Sequence, residues 1–303
     1  MKYISIFDRI RGAIVGVAVG DALGAPLEFM SADAIQKQHG RVTEMISGGW
    51  LNVEPGEVTD DTQMTMAVAR GIVEDPEDPV HAIGQNFIEW FESGPKDVGG
   101  TCAAAIAEAM SRNAETEEEW KLVGAHVNLI MIGRTGGNGA LMRTIYPAVY
   151  YAARHQRHKM TRGIAKMTHA ASESTEICEI YADAVHAAVF GGHPICSIPA
   201  RYYKPGAEPT GYVVNTWSNV IEAILSTETF EEAVIEAVNR GGDADTIGAI
   251  AGGLAGAYYG YTSIPDRWLD ALDPNLRNEL DKLAEIAYKA NEDYYRGLYG
   301  DLI

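Results

Sequence analysis

The sequence predicts an all-α protein folded as a single compact multi-helix domain. Apolar residues recur at intervals of three and four along most of its 303 residues, which is the periodicity of amphipathic helices. The alternating pattern of a strand is scarce, and Arg41–Ile46 is the best candidate for one. No low-complexity linker divides the chain, so we expect one domain over residues 1–303.

The helical periodicity is interrupted by turn-forming pairs such as Asp75-Pro76 and Asp273-Pro274. Between such breaks the predicted helices are, in chain order, Ile10–Leu23, Gln63–Glu74, Val80–Glu92, Cys102–Ser111, Ala140–Arg154, Glu173–Phe190, Val213–Leu225, Thr229–Val238, Ile247–Tyr259 and Leu276–Tyr295.

Glycine recurs at every fourth position in the first and the ninth of these helices. The two sets are Gly12, Gly16, Gly20 and Gly24, and Gly248, Gly252, Gly256 and Gly260. Residues four apart share a helix face, so each set forms a ridge without side chains. Glycine costs about 1 kcal/mol relative to alanine inside a helix, so such a ridge needs a compensating reason. Close approach of another helix supplies one, and we expect the two glycine helices to pack centrally, on one another.

Two apolar segments imitate export or membrane signals. Residues 12–20 follow a basic N-terminal stretch, but Asp8 lies in that stretch and Asp21 ends the apolar run. Residues 246–265 carry no charge, yet they are rich in glycine, alanine and tyrosine rather than leucine. We therefore expect no export signal and no membrane span, and a buried core helix in the second segment.

The composition narrows the function classes. The chain has 42 acidic against 24 basic residues, a formal net charge of −18, which argues against nucleic acid and anionic membrane surfaces as partners. Its 47% of hydrophobic residues is typical of a globular protein. The cysteines Cys102, Cys178 and Cys196 are far apart and form no C-x-x-C pair, which predicts a reduced, cytoplasmic protein without a disulfide or zinc framework.

Two acidic motifs follow the same pattern: glycine, two carboxylates and a threonine, then an apolar helix. They are GEVTDDTQ at 56–63 and GGDADT at 241–246. Capping of the following helix explains one oxygen in each motif. It does not explain four carboxylates, which would repel one another unless cations compensate them. Hard oxygen ligands without histidine or cysteine suit Mg²⁺ or Mn²⁺, and their number suits a pair of ions.

Other candidate functional residues lie in loops. The segment Gly136-Gly137-Asn138-Gly139 precedes a predicted helix and could present N–H groups to a phosphate, although an ordinary turn explains it too. Glu28 and Asp97 are acids in glycine-bounded loops, where a solvated side chain is the simpler interpretation. His169 precedes a predicted helix, and a lone histidine is more often structural than catalytic.

Taken together, the motifs resemble the ADP-ribosylglycohydrolase family, and within it the branch that reactivates dinitrogenase reductase in nitrogen-fixing bacteria. The resemblance rests on GAIVGVAVGDALGAPLEFM (12–30), GGWLNVEPGEVTDDTQM (48–64), DVGGTC (97–102), GGNGALMR (136–143), TGYVVNT (210–216), NRGGDADTIGAIAGGLAGAYYG (239–260) and IPDRWL (264–269). It implies an all-α domain with two divalent cations, Mg²⁺ or Mn²⁺, in a cleft.

The resemblance also implies roles for individual residues. The implied metal ligands are Thr59, Asp60, Asp61, Asp243, Asp245 and Thr246, of which Asp60 and Asp245 are also catalytic. Glu28 and Asp97 would face the distal ribose, and either could act as the general acid or base. The implied substrate-binding residues are Gly136, Gly137, Asn138 and Gly139 at the diphosphate, with His169 and Tyr212 beside them.

The implied reaction is metal-dependent hydrolysis of the N-glycosidic bond between ADP-ribose and a protein arginine. The implied partners are an ADP-ribosylated protein, with dinitrogenase reductase as a candidate, and a signalling protein of the PII type. Two alternatives stay open: hydrolysis of another ADP-ribosyl linkage (serine, acetyl ester or nucleic acid base), and a catalytically silent ADP-ribose-binding regulator.

The chain departs from the family pattern at three places. Close relatives typically have asparagine where Gly100 stands, an acid near Gly133, and Asn-His-Pro after Thr168-His169, where this chain has Ala170-Ala171-Ser172. These departures leave the target, and the role of His169, open.

Overall fold

The computed structural model describes residues 4–193, 195 and 199–299. This part of the chain contains α-helices and short 3₁₀ turns, and its only β-pairing consists of isolated bridges. The helices are α1 (Ile6–Gly24), α2 (Ala32–His39), α3 (Asp60–Glu74), α4 (Val80–Glu92), α5 (Gly100–Arg112), α6 (Glu117–Ile130), α7 (Ile145–Tyr150), α8 (Arg154–Lys166), α9 (Ser172–Val189), α10 (Val213–Leu225), α11 (Phe230–Val238), α12 (Ala244–Tyr259), α13 (Asp266–Ala271) and α14 (Pro274–Tyr299).

The central pair is α1 and α12, which run antiparallel with their glycine ridges in contact. A Cβ added at Gly16 would lie within 3.0 Å of the Gly252 carbonyl, and one at Gly20 would do the same at Gly248. Real Cβ atoms essentially never come so close, so glycine is required on both faces. The predicted packing of the two glycine helices is confirmed.

The other helices surround this pair and share one hydrophobic core. Helices α14, α3, α7 and α9 contact α1, while α9, α10 and α11 contact α12. Large buried side chains such as Trp217, Trp268 and Phe230 fill the space between these helices. Because α1 and α12 are covered on nearly every side, both are buried through almost their whole length.

Within the described ranges, one helical segment is long and apolar enough to cross a membrane by length and composition. It spans Ile6–Leu27, and 94% of its most apolar window is buried inside the protein. Burial of this kind is what a core helix requires, so the apolar composition is explained without a membrane. The same explanation holds for α12, as predicted.

Two sequence predictions are wrong. Arg41–Ile46 forms no strand; the backbone N–H and C=O of Val42 are instead satisfied by the side-chain amide of Asn239, at 2.8 Å each. The predicted helix Ala140–Arg154 is interrupted: turns lead to α7, and α8 starts at Arg154. Pro147 explains the break, because proline is tolerated in the first turn of a helix but not in its interior.

The predictions also omitted four helices: α2, α6, α8 and α13. A capping box between Thr116 and Glu119 marks the start of α6 and could have been recognised. Helix α8 is strongly basic, so its apolar periodicity is thin. Cys102 and Cys178 are buried and free, which agrees with the predicted absence of a disulfide framework, and Cys196 lies outside the described residues.

Candidate active site

The site begins where a single acid of α1 caps α3. The Asp21 carboxylate accepts hydrogen bonds from the backbone N–H groups of Thr59 (3.0 Å) and Thr62 (3.1 Å), and from both of their hydroxyls. Asp21 is fully buried, in the last turns of the glycine helix. The orphan donors at the start of α3 are therefore satisfied by another helix, and the acids of the TDD motif are not needed for capping.

Capping explains the acids of the two motifs only in part: at the start of α12, Asp245 Oδ1 accepts from the backbone N–H of Thr246 at 2.8 Å. Thr59 is the N-cap residue of α3 and Asp243 that of α12, yet neither side chain makes a capping hydrogen bond. The two motifs meet directly: the Thr246 hydroxyl donates to Asp61 Oδ2 at 3.2 Å, although these residues are 185 positions apart. The glycine contact of α1 with α12 is what carries the second motif to the first.

One carboxylate oxygen in this group has no partner in the protein. Asp61 is almost fully buried, and its Oδ1 makes no hydrogen bond within the described residues. An unsatisfied buried carboxylate oxygen is costly unless a cation approaches it. Thr59 and Asp60 precede Asp61 in the chain, and the contact with Thr246 brings the second motif, with Asp243 and Asp245, to the same place. All these donors are hard oxygens, which suit a divalent cation.

Burial first, and repulsion between neighbouring carboxylates second, raise the pKa values of the acids of the site. Burial, followed by repulsion from Asp97, raises the pKa of Asp60 to about 8. Burial raises the pKa of Asp61 well above its usual range, with repulsion from Asp21 adding to it, and the pKa of Asp245 likewise, with repulsion from Asp61. The same burial raises the pKa of Asp21 to about 6.

The acids open into a cavity of about 350 Å³. Its described lining contains neither lysine nor arginine. The lining residues are Glu28, Phe29, Trp50, Asp60, Asp97, Val98, Gly99, Gly100, Thr101, Cys102, Gly137, Asn138, Gly139, Met142, His169, Asp243, Asp245 and Thr246. No lysine or arginine of the described lining offsets the negative charge of the acids. A bound cation or the uptake of protons has to compensate this charge.

Glu28 and Asp97 lie beside the two acidic motifs. Carboxylate oxygens of Glu28, Asp97 and Asp245 all lie within 4.8 Å of one another, close enough to share a cation. Burial is the main reason that the pKa of Glu28 rises, to about 7, while the hydrogen bond from Trp50 Nε1 opposes the rise. The structure thus brings together both loop acids singled out in the sequence.

The glycine loop Gly136–Gly139 lies across the cavity wall and is held at both ends. Asn138 N donates to the Gly211 carbonyl, and the Asn138 amide bridges Asp243 Oδ2 (2.5 Å) and the Thr216 hydroxyl (2.9 Å). The amide N–H groups of Gly137 and Gly139 donate to nothing within the described part of the chain. They are available to an anion, although turns follow the loop where a helix was predicted.

Tyr212 and His169 flank this loop. The Tyr212 ring lies next to Gly136 and is 45% exposed. His169 is buried beside Gly137 and Gly139, and burial, with the positive charge of Arg143, lowers its pKa to about 3, so the imidazole is neutral. Its Nδ1 is 2.7 Å from the Thr168 hydroxyl, which accepts a hydrogen bond from Arg143.

Sequence reasoning assigned neither Asp21 nor Trp50 a role in the site. Asp21 is visible in the sequence as the charge that ends the apolar run of the first glycine helix, but not as the cap of α3. Trp50 carried no signal, because its contact with Glu28 depends on the fold. Of the positions noted as departures from the family pattern, Gly100 lines the cavity, and a Cβ there would meet nothing within 4 Å, so the cavity has room for a side chain at this point.

Known proteins resemble the chain over nearly its full length. A family model described as ADP-ribosylglycohydrolase matches residues 3–296. The chain is 35% identical, over 91% of its length, to the ADP-ribosyl-[dinitrogen reductase] glycohydrolase of Rhodospirillum rubrum, of which it covers 94%. It is 28% identical to the ADP-ribosylarginine hydrolase Tri1 of Serratia proteamaculans, covering 94% of this chain and 81% of that protein.

A solved structure agrees with these sequence matches. It is described as an ADP-ribosylglycohydrolase-related protein complex, and it superposes with a TM-score of 0.78 at 32% identity, covering 95% of this chain and 99% of its own. Sequence, fold and the meeting of the two acidic motifs lead to one conclusion: the chain belongs to the ADP-ribosylglycohydrolase family.

Proposed function

We propose that this protein is a metal-dependent hydrolase that releases ADP-ribose from modified arginine side chains of proteins. One observation carries the proposal: two acidic motifs far apart in the sequence meet at a buried point, where Asp61 Oδ1 has no hydrogen-bond partner among the described residues. The relatives named above, one acting on ADP-ribosyl-[dinitrogen reductase] and one on ADP-ribosylarginine, support the arginine linkage.

The proposed ligands of two divalent cations are the oxygens of Thr59, Asp60, Asp61, Asp243, Asp245 and Thr246. These residues fit the ions because the donors are all hard oxygens, because Asp61 Oδ1 is unpartnered, and because no basic side chain of the described cavity lining competes for them. When bound, such ions supply Lewis acidity and lower the pKa of a water. Asp21 keeps Thr59 in position by accepting from both its backbone N–H and its hydroxyl.

Glu28 and Asp97 are the proposed general acid and base. In the reaction, water oxygen bonds to C1″ of the ribose and gives up one proton to the base, the bond from C1″ to the arginine nitrogen breaks, and that nitrogen takes up a proton from the acid. A carboxyl group whose pKa is near 7, as that of Glu28 is, can both donate and accept a proton at neutral pH. Both acids lie within 4.8 Å of Asp245 oxygen, so either can reach the same reacting centre.

The glycine loop is the proposed binding site of the diphosphate. Gly137 and Gly139 line the cavity, and their N–H groups have no acceptor within the described part of the chain. The Asn138 amide donates to Asp243, so the loop and the second acidic motif keep a fixed relation. His169 stays neutral beside the loop, which suits a hydrogen-bonding role rather than a charged one. Tyr212, next to Gly136, is a candidate wall for the nucleotide.

The target protein and the compartment are also part of the proposal. Dinitrogenase reductase is the candidate target because the Rhodospirillum rubrum relative is named for it. The two described cysteines are free, which agrees with a cytoplasmic location. The PII-type partner stays a prediction from the family resemblance.

The test is incubation of the purified protein with ADP-ribosylarginine, with Mn²⁺, with Mg²⁺, and with a chelator, followed by detection of free ADP-ribose. Release only when metal is present is the expected result. Equal release in the chelator would contradict the metal mechanism. A parallel panel of serine, acetyl-ester and nucleic-acid-base linkages distinguishes the alternative hydrolases. Binding of ADP-ribose without turnover of any linkage would indicate the silent regulator.

A further inference from the structure

Two exposed aromatic rings stand together at the mouth of the cavity. Phe29 is 70% exposed and Trp50 is 53% exposed, and both belong to the cavity lining. Their ring centroids are 5.5 Å apart, with a tilt of 42° between the ring planes. Large aromatic side chains left in solvent at a cavity entrance indicate a surface that a ligand covers.

Phe29 is held in this exposed position by an unfavourable backbone conformation. Its φ is +63°, in the left-handed region that side chains rarely adopt. The loop of the second metal motif enforces it: Phe29 N donates to the Gly242 carbonyl, and Gly242 N donates to the Met30 carbonyl. Strain of this kind persists where the surroundings impose it, and it concentrates at functional sites. The backbone of Phe29, which carries the ring, is therefore fixed relative to Gly242 and to Asp243, the residue after it.

Trp50 is fixed relative to the reacting groups in a different way. Its indole Nε1–H donates to Glu28 Oε2 at 2.5 Å. The Glu28 carboxylate in turn lies within 4.8 Å of Asp97 and Asp245 oxygens. A ligand leaving the acidic centre on the Glu28 side consequently meets a carboxylate first and two aromatic rings next.

This sequence of groups matches the chemistry of a guanidinium. The guanidinium group is planar, cationic and weakly hydrated, it pairs with carboxylates, and it stacks on aromatic rings. The lack of lysine and arginine in the described cavity lining leaves these groups without an internal cation. A serine hydroxyl or an acetyl ester would gain nothing comparable from the same rings.

We propose that Phe29 and Trp50, together with Glu28, form the subsite that binds the guanidinium of the modified arginine, and so select arginine over neutral linkages. The inference rests on the proposed function. The adenine ring is the competing occupant, but the aromatic ring next to the glycine loop is Tyr212, not Phe29 or Trp50. The nucleotide end and the arginine end of the substrate then have separate aromatic contacts.

The experiment compares a substrate that contains the guanidinium with the product that lacks it. The KM of ADP-ribosyl-agmatine and the Kd of free ADP-ribose are measured, with Mn²⁺, for the wild type and for Trp50→Ala, Trp50→Phe and Phe29→Ala. Loss of a cation–aromatic contact predicts a rise of roughly tenfold in KM for Trp50→Ala, with the Kd of ADP-ribose changed less than about twofold. Trp50→Phe keeps a ring and should recover most of the loss. Phe190→Ala removes a 40% exposed ring outside this cavity and is the matched control.

Each result has one meaning. If Trp50→Ala and Phe29→Ala weaken ADP-ribose as much as ADP-ribosyl-agmatine, the rings bind the nucleotide and the inference is overturned. It is also overturned if neither KM nor Kd changes. Failure of the proposed function looks different, because the wild type itself would then neither hydrolyse ADP-ribosyl-agmatine nor bind it more tightly than ADP-ribose.

Discussion

The contact between the two glycine helices, α1 and α12, has two different regions: a tightly packed glycine region along most of its length and a cluster of acids at one end. Along most of the contact between α1 and α12, side chains are absent, and the backbones approach so closely that Gly16 and Gly252 have no room for a Cβ. At the end of the same contact, Asp21 of α1 lies near the acids at the start of α12, and the pKa of Asp245 is raised in part by Asp21. The close packing of the dry region is the physical reason that the charges of the other region are crowded.

A buried cluster of charges can thus result from tight packing in a neighbouring region, here the glycine contact of α1 with α12. Helices that pack at ordinary distance, 8–10 Å between axes, carry side chains between them. Where glycine removes those side chains, the residues that flank the contact come closer together. The stability of the glycine region then holds the acids in place against their mutual repulsion. We therefore expect changes in the glycine region to affect mainly stability and changes among the acids to affect mainly activity.

The largest expected effect concerns activity alone. Asp60→Asn keeps the shape of the side chain but removes a proposed metal ligand, so we expect turnover of ADP-ribosylarginine to fall by about 10³-fold. Because the pKa of Asp60 is raised by burial and by Asp97, removing its charge relieves repulsion. The melting temperature in chelator should be unchanged or higher. Retained turnover, or a folding defect equal to the activity loss, would contradict the separation of the two regions.

The next effect concerns stability alone. Gly252→Ala places a Cβ against the Gly16 carbonyl at a distance that forces the helices apart, and overpacking of this kind costs about 1–3 kcal/mol or more. Chemical denaturation measures the loss. Gly297→Ala is the matched control, because it is also a helical glycine, but its Cβ would meet nothing within 4 Å. The control should be neutral or stabilising by up to about 1 kcal/mol.

A smaller effect belongs to the residue that connects the two regions. Asp21→Ala removes the acceptor of Thr59 and Thr62 and leaves the first turn of α3 without its cap. Loss of a cap costs about 1–2 kcal/mol, which denaturation of the metal-free protein would detect. Mn²⁺ affinity should also fall, since Thr59 loses its support. A variant as stable as the wild type in chelator would show that Asp21 acts as a charge rather than as a cap.

The fourth effect is a dependence of the folding stability on pH. In the folded, metal-free protein the pKa of Asp60 is about 8 and that of Glu28 about 7, whereas in the unfolded chain both ionise near pH 4. Between these values the unfolded chain binds fewer protons than the folded one, so stability falls as the pH rises from about 4 to about 8. Melting curves in chelator at pH 5 and pH 8 should show this fall. Saturating Mn²⁺ should reduce it, because the bound carboxylates are ionised.

Much of the architecture was accessible from local pattern. Helix periodicity gave the all-α class, and it failed at Ala140–Arg154 because Pro147 restricts a helix to a start at Ile145. It failed again at Arg41–Ile46, where a side-chain amide from a distant residue replaces a neighbouring strand. Both failures come from contacts or positions that a window of periodicity does not weigh.

The sequence alone predicts the all-α class from helical periodicity and the central pairing of the glycine helices from the four-residue spacing of glycine. It predicts the residue types of an acidic oxygen site from the two acidic motifs. Three contacts depend on the tertiary structure. Asp21 caps α3, so the TDD acids are not needed for capping it; Thr246 donates to Asp61; and Trp50 donates to Glu28. These depend on which helix faces lie within hydrogen-bonding distance, and residues far apart in the chain acquire that proximity only when the core is packed.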